Sequence, residues 1–168
     1  MRVLGVGKDS IQGDVAFADV LRKMGARVEV GPDWIACDGS GCSLHGVELN
    51  LNDIPDAAMT VSVLALFADS PSKISGIASW RVKETDRIAA ISAELQKFGA
   101  RVTTDMDSIT IVPPEKLVPA TVETYNDHRM AMCFSLVSLG GVAVKIMDPA
   151  CVNKTYPHFF EDFTRLAK

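Results

Sequence analysis

The chain has 168 residues, of which 48% are hydrophobic and 23% charged, and its formal net charge is -4 at pH 7. This composition is typical of one globular domain or part of a larger protein, and the acidic balance does not favour nucleic acid or a membrane surface as the main partner. We find no signal or transit segment at Met1 and no apolar run near the ~20 residues that span a bilayer, so we expect a cytoplasmic protein.

The first element predicted is an amphipathic helix, because apolar side chains recur at positions i, i+3, i+4 and i+7. These side chains are Phe17, Val20, Leu21 and Met24. Gly25 follows the helix where a C-terminal glycine cap belongs. Alternating stretches at 28–30 and 34–37 flank turn residues, which indicates a β-hairpin.

Further along, the segment 57–68 is apolar nearly all round, which predicts a buried helix. The first pattern then returns, with a helix face, a glycine and two alternating stretches at 102–104 and 108–112. The residues of this second helix face are Ile88, Ile91, Leu95 and Phe98, followed by Gly99. A second buried helix is predicted at 130–139, and a truncated third copy runs from Lys145 to the chain end.

This internal repeat predicts an α/β fold of repeated units, with buried helices inside and sheets outside. One such unit cannot bury both of its faces alone. The two and a half copies therefore suggest that a further copy is missing.

The four cysteines, Cys37, Cys42, Cys133 and Cys151, form no C-x-x-C pair, and we expect them to be reduced and structural. A zinc site made by Cys37, Cys42 and His45 is rejected because the spacing matches no standard pattern and no fourth ligand is evident. No metal is expected.

Charged residues gather at the predicted helix starts. Lys83 and Arg87 are four residues apart at the start of the second amphipathic helix, which favours an anion between them, and Glu84 could act as an acid or base beside them. An ordinary solvated helix start with Glu–Lys pairing explains the same residues equally well. Lys154 occupies the position of Lys83 in the truncated copy.

Asn126-Asp127-His128-Arg129 stands before one buried helix, where Arg129 could hold a carboxylate or phosphate. The alternative is a helix cap by Asp127, with Arg129 extending into water. Asp56 stands in the equivalent place before the other buried helix, where capping is again the alternative. Clusters at four equivalent helix starts together suggest an anion-binding rim.

At these residues the sequence resembles the 5-enolpyruvylshikimate-3-phosphate synthase family, most closely its bacterial members. The likeness covers essentially the whole chain in order. The motifs that carry it are Ser10-Ile11-Gln12-Gly13-Asp14, Ile54-Pro55-Asp56-Ala57-Ala58-Met59, Trp80-Arg81-Val82-Lys83-Glu84-Thr85-Asp86-Arg87, Tyr125-Asn126-Asp127-His128-Arg129-Met130-Ala131-Met132 and Lys154-Thr155-Tyr156-Pro157.

The resemblance implies transfer of the enolpyruvyl group of phosphoenolpyruvate to the 5-hydroxyl of shikimate 3-phosphate, with release of phosphate. It implies no metal or organic cofactor. It also implies a monomeric enzyme of two domains that close around the substrates, each built of three βαβαββ units in an inside-out, barrel-like α/β arrangement, which is incomplete in this chain. By this resemblance, residues 1–168 would be a partial C-terminal domain of about two of three repeat units. No second domain would be present, and the N-terminal domain of the same enzyme would be the missing partner.

The resemblance also implies roles for individual residues. Asp56 matches the carboxylate that accepts the hydroxyl proton and contacts the shikimate ring, and Glu84 matches the proton donor to phosphoenolpyruvate. Lys83 matches a residue near the shikimate hydroxyls. The residues matched to the anionic groups of phosphoenolpyruvate are Arg87, Arg129 and Lys154, and those matched to an assisting role are His128 and Asp127.

Two departures from the family pattern matter. Ser79 stands where many bacterial members have an asparagine that binds shikimate 3-phosphate, and its hydroxyl could substitute in that contact. The family chain is also much longer, so we expect this chain alone to lack one wall of the site and to be inactive. The alternative function is a non-catalytic domain that binds anions or a partner protein.

Overall fold

The computed structural model describes residues 1–167, which form nine β-strands and five α-helices. The strands are β1 (Arg2–Leu4), β2 (Arg27–Val30), β3 (Trp34–Asp38), β4 (Glu48–Asn50), β5 (Ser72–Ser75), β6 (Arg101–Thr104), β7 (Ser108–Val112), β8 (Ala120–Val122) and β9 (Val144–Ile146). The helices are α1 (Phe17–Lys23), α2 (Pro55–Leu64), α3 (Arg87–Lys97), α4 (His128–Ser135) and α5 (Phe159–Leu166).

The strands form three separate sheets, with the orders β1-β3-β2, β4-β5-β7-β6 and β8-β9. Both predicted hairpins are confirmed, because β2 pairs antiparallel with β3, and β6 pairs antiparallel with β7. The predicted α/β class with repeated units is also confirmed. Within residues 1–167 the three sheets do not close into a barrel, which agrees with an incomplete domain of repeated units.

The two apolar segments form buried helices, as predicted. Ala58, Met59 and Val61 of α2 and Met130 of α4 are fully buried, and they belong to one core. The predicted boundaries were inaccurate. Both helices begin two residues earlier than predicted, and each is followed by a 3₁₀ turn, Ala65–Phe67 after α2 and Leu136–Gly140 after α4. In the described residues no helix is both long and apolar enough to cross a membrane.

Gly25 and Gly99 follow α1 and α3 with φ angles of +104° and +97°. These left-handed conformations are readily adopted only by glycine, which is why each amphipathic helix stops there. A Cβ at residue 25 would lie 2.5 Å from the carbonyl oxygen of Ser43, so that turn also has no room for a side chain. Both predicted glycine caps are confirmed.

The apolar face of α5 is only partly covered. None of its residues is buried, although Phe159 and Phe160 pack against Ala131 and its neighbours. Phe163 stacks on Phe159 with ring centroids 5.7 Å apart and extends this apolar face towards solvent. Helix α3 holds the equivalent place in the preceding repeat, and there the hairpin β6–β7 covers it. An uncovered aromatic face of this kind promotes self-association.

We therefore expect the isolated chain to self-associate and the substitution Phe163→Glu to weaken that association by about tenfold or more, the effect of losing one buried aromatic side chain. Sedimentation velocity over a range of concentrations measures the change. The matched control is Arg165→Glu, which changes a charge on the polar side of the same helix. Equal effects of both substitutions would show that this face is not the contact.

Candidate active site

Charged side chains from α2, α3, α4 and the segments before α3 and α5 meet in one cluster. Its members are Asp56, Lys83, Glu84, Arg87, Asp127, Arg129 and Lys154. The charged clusters predicted at the helix starts therefore meet in the structure, because every member is within 4 Å of another. We call this set the ion cluster.

The floor of the ion cluster is the buried pair of Arg87 and Asp127. The Nε of Arg87 donates to Asp127 at 2.7 Å, and its Nη2 donates to the other carboxylate oxygen at 3.3 Å. Arg87 also donates to Asp56 and to Glu84, each at 2.9 Å. The side chain of Arg87 is 2% exposed and that of Asp127 is 0% exposed, so this charged contact is shielded from water.

The rim consists of pairs that face solvent. Arg129 contacts Asp56 at 2.9 Å, and the Nζ of Lys154 donates to Glu84 at 2.7 Å. Lys83 lies 3.8 Å from Asp56. The side chain of Lys154 is 59% exposed, whereas those of Asp56 and Glu84 are 31% and 24% exposed. Both carboxylates and these three cations are therefore partly open to solvent.

Local structure before α3 explains why Lys83 and Glu84 face the cluster. A 3₁₀ turn, Ala78–Val82, is fixed by the buried Trp80, whose indole N–H donates to the carbonyl of Pro55 at 2.7 Å. Arg81 ties the same turn to the β6–β7 connection through the carbonyls of Asp105 and Met106. The turn thus joins the start of α2 to the start of α3.

The structure corrects the predicted geometry of Lys83 and Arg87. Helix α3 begins at Arg87 and is capped by Asp86, which accepts from the backbone N–H of Ala89. Lys83 is therefore outside the helix, and the two cations do not share a helix face. They approach each other because both contact Asp56, which places a carboxylate and not a free anion between them.

The capping alternatives had different outcomes. Asp127 does cap α4, since its carboxylate accepts from the backbone N–H of Arg129 at 2.9 Å, but it also binds Arg87. Asp56 makes no capping hydrogen bond within α2, and its carboxylate points to the arginines. Arg129 pairs with Asp56 and is not simply extended into water. Both buried helices therefore contribute to the ion cluster.

Two predicted residues stand apart from these pairs. Ser79 is exposed in the 3₁₀ turn, and within residues 1–167 no hydrogen bond joins it to the ion cluster. His128 is buried beside the cluster, with Nδ1 3.9 Å from Asp127 and, among the described residues, without a hydrogen-bond partner. Burial lowers the pKa of His128, so its ring is neutral at pH 7.

The ion pairs set the charge of the central groups. The hydrogen bond from Lys154, helped by the charges of Arg87 and Lys154, lowers the pKa of Glu84 to about 2. Burial opposes the charge of Arg87, but the hydrogen bonds that Arg87 donates to Asp127 and the charges of Asp127, Glu84 and Asp56 outweigh this effect, and the pKa of Arg87 is raised. Glu84 is therefore ionised in the ligand-free chain at neutral pH.

The cysteines are free thiols, and Cys133 and Cys151 are buried. Within the described part of the chain, no group of three or more His, Cys, Asp or Glu side chains is placed to hold a metal ion.

Known structures define the class. The fold matches EPSP synthase from Acinetobacter baumannii with a TM-score of 0.77 and 26% identity, over 98% of this chain and 41% of that one. The enolpyruvyl transferase NikO from Streptomyces tendae matches with a TM-score of 0.74 at 23% identity, over 98% of this chain and 38% of that one, which shows the fold alone. The structure is thus an α/β domain of the enolpyruvyl transferase fold.

The family model of EPSP synthase (3-phosphoshikimate 1-carboxyvinyltransferase) matches residues 1–163, and the chain belongs to this family. A 3-phosphoshikimate 1-carboxyvinyltransferase of Paraburkholderia phytofirmans is 59% identical over 172 residues, and one of Thiobacillus denitrificans is 57% identical over 170 residues. Each match covers all of this chain but only 40% of the relative.

Proposed function

We propose that this chain supplies part of the active site of a 3-phosphoshikimate 1-carboxyvinyltransferase, as a portion of its C-terminal domain. The reaction transfers the enolpyruvyl group of phosphoenolpyruvate to the 5-hydroxyl of shikimate 3-phosphate and releases phosphate. The ion cluster carries this proposal, because it joins solvent-accessible cations directly to two partly exposed carboxylates. The names of the relatives support the choice of substrates.

Arg129 and Lys154 are the cations proposed to bind the carboxylate and phosphate of phosphoenolpyruvate, because both reach solvent at the rim. Arg87, in the buried floor of the ion cluster, is proposed to assist this binding. Its hydrogen bonds to Asp127, Asp56 and Glu84 engage four of the five N–H groups of a guanidinium, so a ligand can take the fifth or displace a carboxylate. Lys83 and Ser79 are assigned to shikimate 3-phosphate.

The chemistry requires two carboxylates in different protonation states. The 5-hydroxyl oxygen attacks the central carbon of phosphoenolpyruvate while Asp56 accepts its proton, and Glu84 donates a proton to the methylene carbon. In the elimination, the deprotonated Glu84 takes a proton back from the methyl group, the bond to phosphate breaks, and the phosphate leaves with the proton held by Asp56, which restores the double bond and both carboxyl groups. The neutral ring of His128 is proposed to assist proton movement, and its position next to Asp127 supports this role.

The pair of Glu84 and Lys154 must open before Glu84 can donate a proton. In the free chain the pKa of Glu84 is about 2, because Lys154 donates to it. When the phosphate of the substrate takes over Lys154, this hydrogen bond is lost and the pKa of Glu84 rises. Substrate binding thereby prepares the acid that the reaction needs.

A substitution that removes the charge of Lys154 should raise the pKa of Glu84 in the same way without substrate. We expect Lys154→Met to raise the pKa of Glu84 from about 2 towards its ordinary value of 4.5. Because the folded-state pKa is the lower one, the pair stabilises the fold above about pH 4.5, and this contribution is lost as the pH falls towards 2. An NMR titration of the carboxyl carbon of Glu84 measures the change. Lys145→Met, at an exposed lysine of β9, is the control and should leave the titration unchanged.

The proposed function is tested in a chimeric enzyme, in which this chain replaces the matching 172-residue region of the Paraburkholderia phytofirmans relative. We expect phosphate release that requires both phosphoenolpyruvate and shikimate 3-phosphate. A chimera that is folded by circular dichroism but releases no phosphate would contradict the proposal. Tight binding of phosphate by the chain without any turnover would favour the alternative of a non-catalytic anion-binding domain.

A further inference from the structure

The loop before α4 has a strained backbone. Tyr125 and Asn126 are consecutive non-glycine residues with φ angles of 54° and 55°, in the left-handed region. That region is unfavourable for L-amino acids, especially for a bulky residue such as tyrosine, and it is rarely occupied by two residues in a row. Such a conformation persists only where surrounding contacts impose it, and it often occurs next to functional groups.

A buried carboxylate holds this loop. Glu94 lies on α3 and is 0% exposed. One of its oxygens accepts from the phenol of Tyr125 at 2.8 Å, and the other accepts from the backbone N–H of Glu123 at 3.2 Å. Lys97 neutralises the carboxylate at 2.7 Å. Burial and the adjacent Glu94 raise the pKa of Tyr125 to about 12, so the phenol keeps the proton that it donates.

The same loop leads directly into the ion cluster. Asp127 follows the strained pair, binds Arg87 and caps the helix that carries Arg129. Arg87 and Glu94 are seven residues apart on α3, and therefore lie on the same side of that helix. The loop is thus attached to α3 at two points, by Glu94 at its beginning and by Arg87 at its end.

We propose that Glu94 and Tyr125 form a latch that holds the loop 123–127 in its left-handed conformation and thereby positions Asp127 and Arg129 in the ion cluster. The proposal rests on the proposed function for its catalytic meaning. Glu94 touches no reacting group, and is a positioning residue that acts through the loop. If the latch were only a stabilising contact, its loss would lower the melting temperature and leave the geometry around Arg129 unchanged.

The first test uses the chain itself and needs no activity. Tyr125→Phe removes only the hydroxyl and keeps the ring. We expect amide hydrogen exchange at Asp127 and Arg129 to become about tenfold faster, the effect of losing one hydrogen bond to a charged group. The exchange rates of the amides in α1, which is distant from this loop in the sequence, should not change. Glu123→Gln is the matched control, because it changes an exposed side chain of the loop and keeps the backbone N–H that Glu94 accepts.

The second test measures kinetics in the chimeric enzyme. Tyr125→Phe is expected to raise KM for phosphoenolpyruvate about tenfold, with KM for shikimate 3-phosphate unchanged, because Arg129 is displaced and Lys83 is not. The KM of Glu94→Gln for phosphoenolpyruvate should lie between that of the wild type and that of Glu94→Ala, since the amide oxygen of glutamine can still accept a hydrogen bond from Tyr125.

Unchanged exchange at Arg129 in a folded Tyr125→Phe chain would overturn the latch. So would an equal rise in KM for both substrates. If the unmodified chimera has no turnover, the proposed function fails, whereas the exchange measurement still decides whether the latch exists.

Discussion

Replacing Arg87 with methionine is expected to lower the free energy of unfolding by about 3–5 kcal/mol, as when one partner of a buried ion pair is removed. The reason is that the fully buried Asp127 would keep its negative charge and lose two hydrogen bonds from the guanidinium. Urea denaturation followed by circular dichroism measures this change.

Two further variants make the measurement specific. Arg165→Met removes a surface pair with Asp162, and should cost less than about 1 kcal/mol. The double variant Arg87→Met with Asp127→Asn should be more stable than Arg87→Met alone, because no unpaired charge remains buried. A loss below about 1 kcal/mol for Arg87→Met would contradict the buried floor of the ion cluster.

Replacing Glu84 with glutamine is expected to lower the turnover of the chimeric enzyme by about 10²–10⁴-fold, the usual contribution of a general acid. Asp56→Asn should have an effect of similar size through loss of the base. Both substitutions keep the size of the side chain, so they change the chemistry of the site and not its packing. The measurement is the steady-state rate of phosphate release at saturating substrates.

The control for this prediction is Glu48→Gln, at an exposed carboxylate that forms a surface ion pair with Lys73. Its turnover should equal that of the unmodified chimera. Full activity of Glu84→Gln would remove Glu84 from the proposed mechanism, and would leave the ion cluster as a binding surface.

Much of the fold follows from local rules. The apolar periodicity at Phe17–Met24 and at Ile88–Phe98 predicted two amphipathic helices, and the glycines after them predicted both ends. The buried helices were predicted because no polar face is present in them. Their last turns could not be predicted, since the change to 3₁₀ geometry depends on packing in the core.

The partners within the site were less predictable. Spacing placed Lys83 and Arg87 on one helix face, but capping by Asp86 starts the helix later. Contacts such as Arg87 with Asp127 join residues 40 positions apart, which no local pattern encodes. Glu94 was missed, although a signal existed: it lies on the face of α3 defined by Ile91 and Phe98, where an acidic residue must have a buried partner.

A crystal structure of the chimeric enzyme with phosphoenolpyruvate and shikimate 3-phosphate tests the central claim most directly. We expect the carboxylate and phosphate of phosphoenolpyruvate on Arg129 and Lys154, with the pair of Lys154 and Glu84 opened and Glu84 next to the methylene carbon. Substrate bound away from these residues, with their ion pairs as they are in the free chain, would contradict the proposed site.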